Sequence, residues 1–447
     1  MSIASEISRL QNAKIAIKAS IENKGVTVDD NWLISQYAPL IDEIPSGTSS
    51  VPKKDVNFYD YDGTILYSYT KSEFLNLTAL PSSPNHEWLI AGSWTYTLST
   101  AQTYVTNYGK LNIGQKYTTP NGSTRLFITL KKGRLSPYIA FAVNGSVTID
   151  WGDNTSQTVT GTSTTTQIYT KHDYASEGDY VITLTSSTRI YLETVSSKSI
   201  LSANSSVEKE NFVYSNSIKK LYLGKVGVTG TYLFSYLSSL EEILISTQVT
   251  GTYGNYSFCE CSSLKHITLP SSTGITATYF LYCCYSLKSI CFASGLSGYF
   301  YGRFLNTCTS LQDVTPPSSI TKFDTGCFAV SSTVVSSSSL TEIIIPSSVT
   351  QIGNGCFQNC TGLSNIVLPS SITSIGSGAF EGCCGMAYYD FSSFSSIPSM
   401  GNNYVFQYIP SDCKIIVPDN LYETWITSYG FTNYTANIIK KSDWDNL

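Results

Sequence analysis

The chain is 447 residues long, 42% hydrophobic and only 13% charged, which supplies apolar material for packed cores and length for about three domains. A formal net charge of −5 without a basic block argues against a nucleic-acid partner, which needs clustered Lys and Arg to displace counterions. No stretch reaches the ~18 consecutive apolar residues of a membrane span, and Glu6, Arg9 and Lys14 interrupt the opening segment, so the expectation is a chain made and folded in a cytosol, without membrane insertion.

In chain order, Ile3, Ile7, Leu10, Ile17 and Ile21 form a heptad-like stripe that predicts a helix over 3–22, stopped by Gly25. Such a stripe either packs on its own segment or joins copies of itself or a particle protein. A second short helix is expected after Asp29 and Asp30, carrying Trp32, Leu33, Tyr37, Leu40 and Ile41. Residues 1–45 are therefore read as a helical attachment or oligomerisation segment, and the Pro/Ser/Gly-rich stretch 46–54 as a linker.

Residues 55–120 mix strand-like runs with one helix, capped by Ser99 and closed by Gly109, and predict a small β-rich module. Asp60-Tyr61-Asp62-Gly63-Thr64 follows the apolar Val56 and Phe58 and matches the DxDGT motif of haloacid-dehalogenase-type phosphatases, in which the first Asp attacks phosphorus and the second acts as acid and base. That chemistry needs a doubly wound α/β domain converging on Mg²⁺, whereas the residues that follow are rich in strand-formers, Ser and Thr. A hairpin turn is the expected reading, and a phosphatase the remote one.

Between 121 and 188, LFITL, SVTIDW and YVITLT alternate apolar and polar residues between Gly, Asn and Asp turns, which predicts an antiparallel sandwich. The run Val147 to Thr155 (VTIDWGDNT), then His172, Asp173 and Tyr174, then Gly178, Tyr180, Val181, Ile182 and Leu184, resembles the polycystic-kidney-disease-type (PKD) immunoglobulin-like domain. Asn154 stands where that family often has Gly, and Asn tolerates the left-handed conformation. Asp150, Asp153 and Asp173 have the chemistry of a Ca²⁺ site, but turn formation explains them equally, and neither metal nor cofactor is expected.

From 189 to 410 the sequence repeats itself about every 23 residues: a bulky residue, Cys three later, Leu three after that, then an alternating strand. Phe258, Cys261, Leu264, Ile267 and Leu269 recur as Leu281, Cys284, Leu287, Ile290 and Phe292, and again at Leu305, Phe357 and Phe380. Earlier units begin at Phe234 and, more weakly, at Phe212. One long gap, in the Ser-rich run between Phe328 and Leu340, marks an insertion. A single unit buries too little to offset its ordering entropy, so the units must stack into one quasi-linear core. All 12 cysteines lie between Cys259 and Cys413, one in most units at a fixed interior position, and their spacing suits packed free thiols rather than zinc ligands.

These units, above all LTEIIIPSSVTQIGNGCFQNCTGLSNIVLPSSITSIGSGAFEGC, resemble BspA-type leucine-rich repeats of bacterial surface, protozoan and phage proteins. The tail, 411–447, looks like the segment closing such arrays, with Leu421, Trp425 and Ile426 covering the end. The opening helix and VNFYDYDGT module resemble the front of repeat proteins encoded by gut-bacterial phages and prophages. The predicted fold is mainly β and modular: N-terminal helix, small β-rich module, immunoglobulin-like sandwich, leucine-rich-repeat solenoid and C-terminal cap.

Tyr253, Tyr256, Tyr279, Tyr282, Tyr285, Tyr299 and Tyr301 concentrate in the middle repeats. Tyr offers amphipathic contact area at low entropic cost, so these seven form a candidate patch for protein or glycan, although some must be core. No residue is assigned a catalytic role, since His86, His172 and His266 show no nucleophile–base arrangement. The functional expectation is a non-enzymatic virion protein of fibre or decoration type. Its N-terminus would meet virion proteins or further copies, and its repeats would face a host-surface protein or glycan. The alternative is a BspA-type adhesin on a bacterial cell surface.

Overall fold

The computed structural model describes residues 51–194, 201–202, 215–296, 298–331 and 338–447. The stripe of Ile3, Ile7, Leu10, Ile17 and Ile21 lies outside the described residues, as does most of the Ser-rich insertion. The chain is mainly β, 36% strand against 10% helix, with a solenoid of about nine turns in its C-terminal half.

The first module holds β1 (Val56–Tyr59), β2 (Ile65–Tyr69), β3 (Ile90–Trp94) and β4 (Leu111–Thr118), in sheet order β2-β1-β4-β3. β1 and β4 are parallel, which requires a crossover, and helix α2 (Leu98–Tyr108) makes it after the shorter α1 (Lys71–Leu75). The cap of α2 is Thr97, not Ser99: the Thr97 hydroxyl accepts from the Thr100 amide at 3.3 Å, and Ser99 falls inside the first turn. Gly109 closes the helix at φ +83°, a conformation that favours glycine. Val56, Phe58, Phe74, Trp94, Val105 and Ile113 fill the module's own core.

Next come β5 (Thr124–Leu130), β6 (Tyr138–Asp150), β7 (Ser156–Lys171), β8 (Gly178–Thr185) and β9 (Ile190–Thr194). The long β6 pairs with β7 along its length, with β8 at Thr148–Asp150 and with β9 at Ala142–Val143. Two of these strands carry straight into the repeats: β5 pairs antiparallel with Ile218–Leu223, and β9 parallel with Val226–Gly230. The boundary read at 188/189 therefore marks a change of sequence pattern and not a break in the core. One apolar cluster runs from Leu126 and Trp151 to Trp425 and Phe431.

Each solenoid turn contributes a first strand, a short second strand, and an arc of tight turns that carries the bulky residue and the cysteine. First strands such as His266–Leu269, Ser289–Phe292 and Lys414–Val417, and second strands such as Thr250–Tyr253 and Ile320–Phe323, pair in parallel with their neighbours. The repeat register read from sequence holds: Phe258, Cys261, Leu264, Ile267 and Leu269 are all fully buried, as are Phe357, Cys360, Leu363 and Leu368. Trp425, on helix Tyr422–Thr427, closes the last turn with its ring 4.6 Å from Phe431 and 5.0 Å from Phe391.

The first module sits on the first-strand sheet of the solenoid. Tyr59 stacks on His266 (5.5 Å, 14°), the Tyr104 hydroxyl donates to the Pro316 carbonyl (2.6 Å), and the Asn112 amide donates to Thr315 Oγ1 (3.0 Å). Contact is close enough that a Cβ on Gly114 would lie 2.5 Å from Thr268 Oγ1 and 2.8 Å from Cys291 Cβ. Outward positions of the covered strands are correspondingly buried, Cys291 at 0% and Thr315 at 4%, whereas Val367, at the same offset further along, is 58% exposed.

Candidate functional site

The DxDGT motif forms the β1–β2 hairpin, closed by the Asp60 amide donating to the Thr64 carbonyl at 2.8 Å. Asp60 is 3% exposed. Its Oδ1 accepts from the Tyr61 amide (2.8 Å) and the Tyr117 hydroxyl (2.7 Å), and its Oδ2 pairs with His86 Nε2 (2.6 Å). Asp62 accepts from the Thr64 amide, and a Cβ on Gly63 would lie 2.8 Å from His266. A nucleophilic carboxylate must reach substrate; this one is enclosed between module and solenoid with its oxygens engaged.

In the β5–β9 region, whose strands belong to one sheet continuous with the first repeats, Trp151 is buried and stacks on His172 at 4.6 Å, while the Tyr174 hydroxyl donates to the Trp151 carbonyl. Asn154 takes φ +69°, as its place in the turn requires. Asp150 accepts from the Gly152 amide, Asp153 from the Thr155 amide and hydroxyl, with His172 at 2.7 Å, and Asp173 pairs with Lys171. Asp150 and Asp153 serve the turn while Asp173 holds Ser136 and Lys171, and among the described residues no group of three His, Cys, Asp or Glu stands together as a metal site would require.

The cysteines have a specific structural task. Cys261 Sγ donates to the Phe234 carbonyl (3.1 Å), Cys284 to Phe258 (3.2 Å), Cys308 to Leu281 (3.1 Å), Cys360 to Phe328 (3.2 Å) and Cys383 to Phe357 (3.2 Å). Each thiol thus satisfies a buried carbonyl of the preceding turn, which an aliphatic residue of similar size could not do. Burial holds Cys261, Cys284, Cys308 and Cys360 far above the usual thiol range and pushes Cys383 up to about 12. All twelve cysteines are free thiols.

The seven tyrosines divide. Tyr253 is fully buried between Phe258 and Phe280; it belongs to the core, and its place in the candidate patch is corrected accordingly. It lies on a second strand whose inward side chain fills the stack, three residues before Tyr256 on the turn arc. Tyr299 and Tyr301 pair with each other at 4.0 Å, with Lys322 over Tyr299. Tyr256 and Tyr279 enter a stack that the tyrosine count did not reveal: Tyr232 on Tyr256 (4.6 Å, 3°), Tyr256 on Tyr279 (4.7 Å, 16°), then the Arg303 guanidinium 5.3 Å over Tyr279. Tyr282 lies edge-on to Tyr279 at 5.3 Å, and Tyr285 is 37% exposed nearby on the same arc. Tyr232 and Arg303 were findable, because they recur at the repeat offset of Tyr256 and Tyr279.

This ladder shares a left-handed backbone with other arc positions such as Phe234, Phe258, Glu260 and Asn359. Tyr232, Tyr256, Tyr279 and Arg303 all hold φ between +58° and +62°, which costs a non-glycine residue about 1–2 kcal/mol. The conformation aims each amide at the next turn: Tyr232 N donates to the Asn255 carbonyl, Tyr256 to Thr278, Tyr279 to Gly302 and Arg303 to Thr325, all at 2.8–2.9 Å. The series continues through Gly326, Gly355 and Gly378 at φ +61°, +54° and +60°. Where glycine takes over, the stack ends and a polar groove opens, bordered by Tyr282 and Arg303 on one side and by Glu381 and Tyr408 on the other.

Stacked turns of this length, with parallel strands on one side and a regular interior of aromatic, Cys and Leu side chains, define a leucine-rich-repeat solenoid. The chain belongs to the BspA type leucine rich repeat family, which matches it in six copies over residues 205–335 and 330–443. Among solved structures, it is similar to a leucine-rich-repeat protein of T. pallidum (24% identity, 46% of this chain and 86% of that chain, TM-score 0.30). It is also similar to one from Bacteroides ovatus ATCC 8483 (16%, 57% and 95%, TM-score 0.27) and to the pneumococcal vaccine antigen PcpA (15%, 50% and 71%, TM-score 0.27). No curated protein matches the chain.

Proposed function

We propose that this BspA-type protein is a non-enzymatic recognition protein that presents the turn arc of its repeats to a surface protein or glycan. The observation that carries this reading is which face is left open. The module covers the first-strand sheet of the middle turns through Tyr59, Asn112 and Gly114, strands β5 and β9 continue one end and the Trp425 segment closes the other. Among the described residues, the arc bearing Tyr256, Tyr279 and Tyr285 is not covered by the module. Tyr256 and Tyr279, at positions where glycine serves in later turns, support a role for the side chain itself, because the backbone does not require one there. Enclosure of Asp60 supports the absence of phosphatase chemistry.

In the fuller form of the proposal the protein is carried on a virion, as a fibre or decoration, with Ile3, Ile7, Leu10, Ile17 and Ile21 as the apolar stripe that meets a virion protein or a second copy. Membership of the BspA type favours a second placement, on a bacterial cell surface as an adhesin. Antibody against the full chain, applied to purified particles and to intact cells of the producing strain, separates the two. Deleting residues 1–45 is expected to leave a folded chain that no longer enters particles or oligomerises; undiminished incorporation would move attachment to the β modules.

A further inference from the structure

The groove beyond Arg303 has a composition that selects its ligand. Its floor lies over Gly326 and Gly355, which hold the same left-handed backbone that Tyr256 and Tyr279 hold in earlier turns. Glycine is thus not demanded by the conformation alone; here it lets Arg303 and Gln358 lie close over the backbone, since a Cβ would sit 3.3 Å from Arg303 Cγ at position 326 and 3.3 Å from Gln358 Oε1 at position 355. The walls carry planar polar groups with capacity to spare. Gln358 Nε2 donates to Glu381 Oε2 (3.0 Å), and Asn354 Oδ1 accepts from the Ser377 amide (2.9 Å). Asn354 Nδ2, Gln358 Oε1, Glu381 Oε1 and the Arg303 guanidinium therefore offer donors and acceptors side by side. Tyr408, 69% exposed, stands at the far end, and Tyr282 at the near end.

We propose that this groove binds a neutral oligosaccharide, its sugar rings lying against Tyr282 and Tyr408 and its hydroxyls paired with Asn354, Gln358, Glu381 and Arg303. A sugar presents vicinal hydroxyls, each donor and acceptor, along its edge and a C–H surface on its face; adjacent amide and carboxylate groups match the first and tyrosine rings the second. One cation and one anion in the lining, Arg303 and Glu381, balance, which disfavours a polyanionic glycan. The glycine floor and scarcity of apolar lining disfavour a protein anchor, since protein interfaces centre on an apolar core. From Arg303 to Tyr408 the groove crosses four steps of the stack, on the order of 20 Å at ~4.8 Å per strand spacing, which suits a short chain of sugars rather than a single ring.

This inference deepens the recognition reading and rests on it. The test applies the full chain to an array of short neutral and acidic oligosaccharides, then measures the strongest binder by calorimetry with three variants. Gly355→Tyr refills the groove with the residue that Tyr256 and Tyr279 show this backbone can carry; Tyr408→Ala removes the far ring; Val367→Ala, exposed on the first-strand sheet away from the arc, is the control. Binding to a neutral oligosaccharide is expected, with affinity falling about tenfold or more in Gly355→Tyr and Tyr408→Ala and staying within about twofold of the parent in Val367→Ala. Tyr408→Ala, on an exposed side chain, keeps the test valid should Gly355→Tyr fold poorly. An array with no binder, preference for acidic glycans only, or undiminished affinity in both groove variants overturns the inference. Attachment of the chain to cells that survives Gly355→Tyr would sink the groove while leaving the recognition reading intact; loss of all cell attachment with sugar binding retained would do the reverse.

Discussion

Cysteine at the fixed interior position does what neither leucine nor serine would: it packs as a small apolar group and still donates to the carbonyl of the turn before it. With burial holding these thiols protonated, the account predicts that thiol-reactive reagent modifies Cys384, the one exposed cysteine, well before Cys261, Cys284, Cys308, Cys360 and Cys383. Mass spectrometry of the native protein after graded labelling reads the order, and rapid labelling of most interior positions would refute the register. His266 gives a second prediction. Fully buried between Ser289 Oγ (2.7 Å) and Thr268 Oγ1 (3.0 Å), it is pushed down by burial from 6.5 to about 4. Its depressed value means that the unfolded chain takes up a proton that the folded chain refuses. The stability it contributes is therefore complete above pH 6.5 and is lost as pH falls through about 4, a loss of about 3 kcal/mol. Urea midpoints measured across this window should fall, and His266→Gln should flatten the decline. An unchanged slope in the variant would show that the imidazole is not the titrating group.

At the scale of elements, the repeats were legible because their interior positions recur: Phe258, Cys261, Leu264 and Ile267 announce themselves by spacing alone, and each stacks on its counterpart. Docking of the first module was not legible. It depends on outward positions such as Thr268, Cys291 and Thr315, which in sequence differ little from outward residues left in solvent, Val367 among them. Ser99 and Thr97 are both good cap residues two positions apart, and only the backbone decides for Thr97. The tyrosines show the same limit: Tyr253 and Tyr256 are equal by composition, yet one faces the stack and the other the arc. What distinguishes them is the offset within the repeat, the signal that also collects Tyr232 and Arg303.

For the whole molecule, strands β5–β9 and the solenoid share one core among the described residues, with the first module packed on it, and the central claim is that the aromatic arc does the recognising. Glycine offers a clean way to test it, since Gly326 and Gly355 show that the backbone at this position is stable without a side chain. The doubly substituted Tyr256→Gly, Tyr279→Gly chain should fold and melt close to the parent, because relief of the positive φ offsets lost stacking of about 0.5–1.5 kcal/mol per pair. The most direct measurement is attachment of fluorescently labelled full chain to a panel of bacterial strains, compared between the parent and this variant. The account predicts that strains bound by the parent lose attachment about tenfold or more with the variant; equal attachment by a folded variant would contradict it.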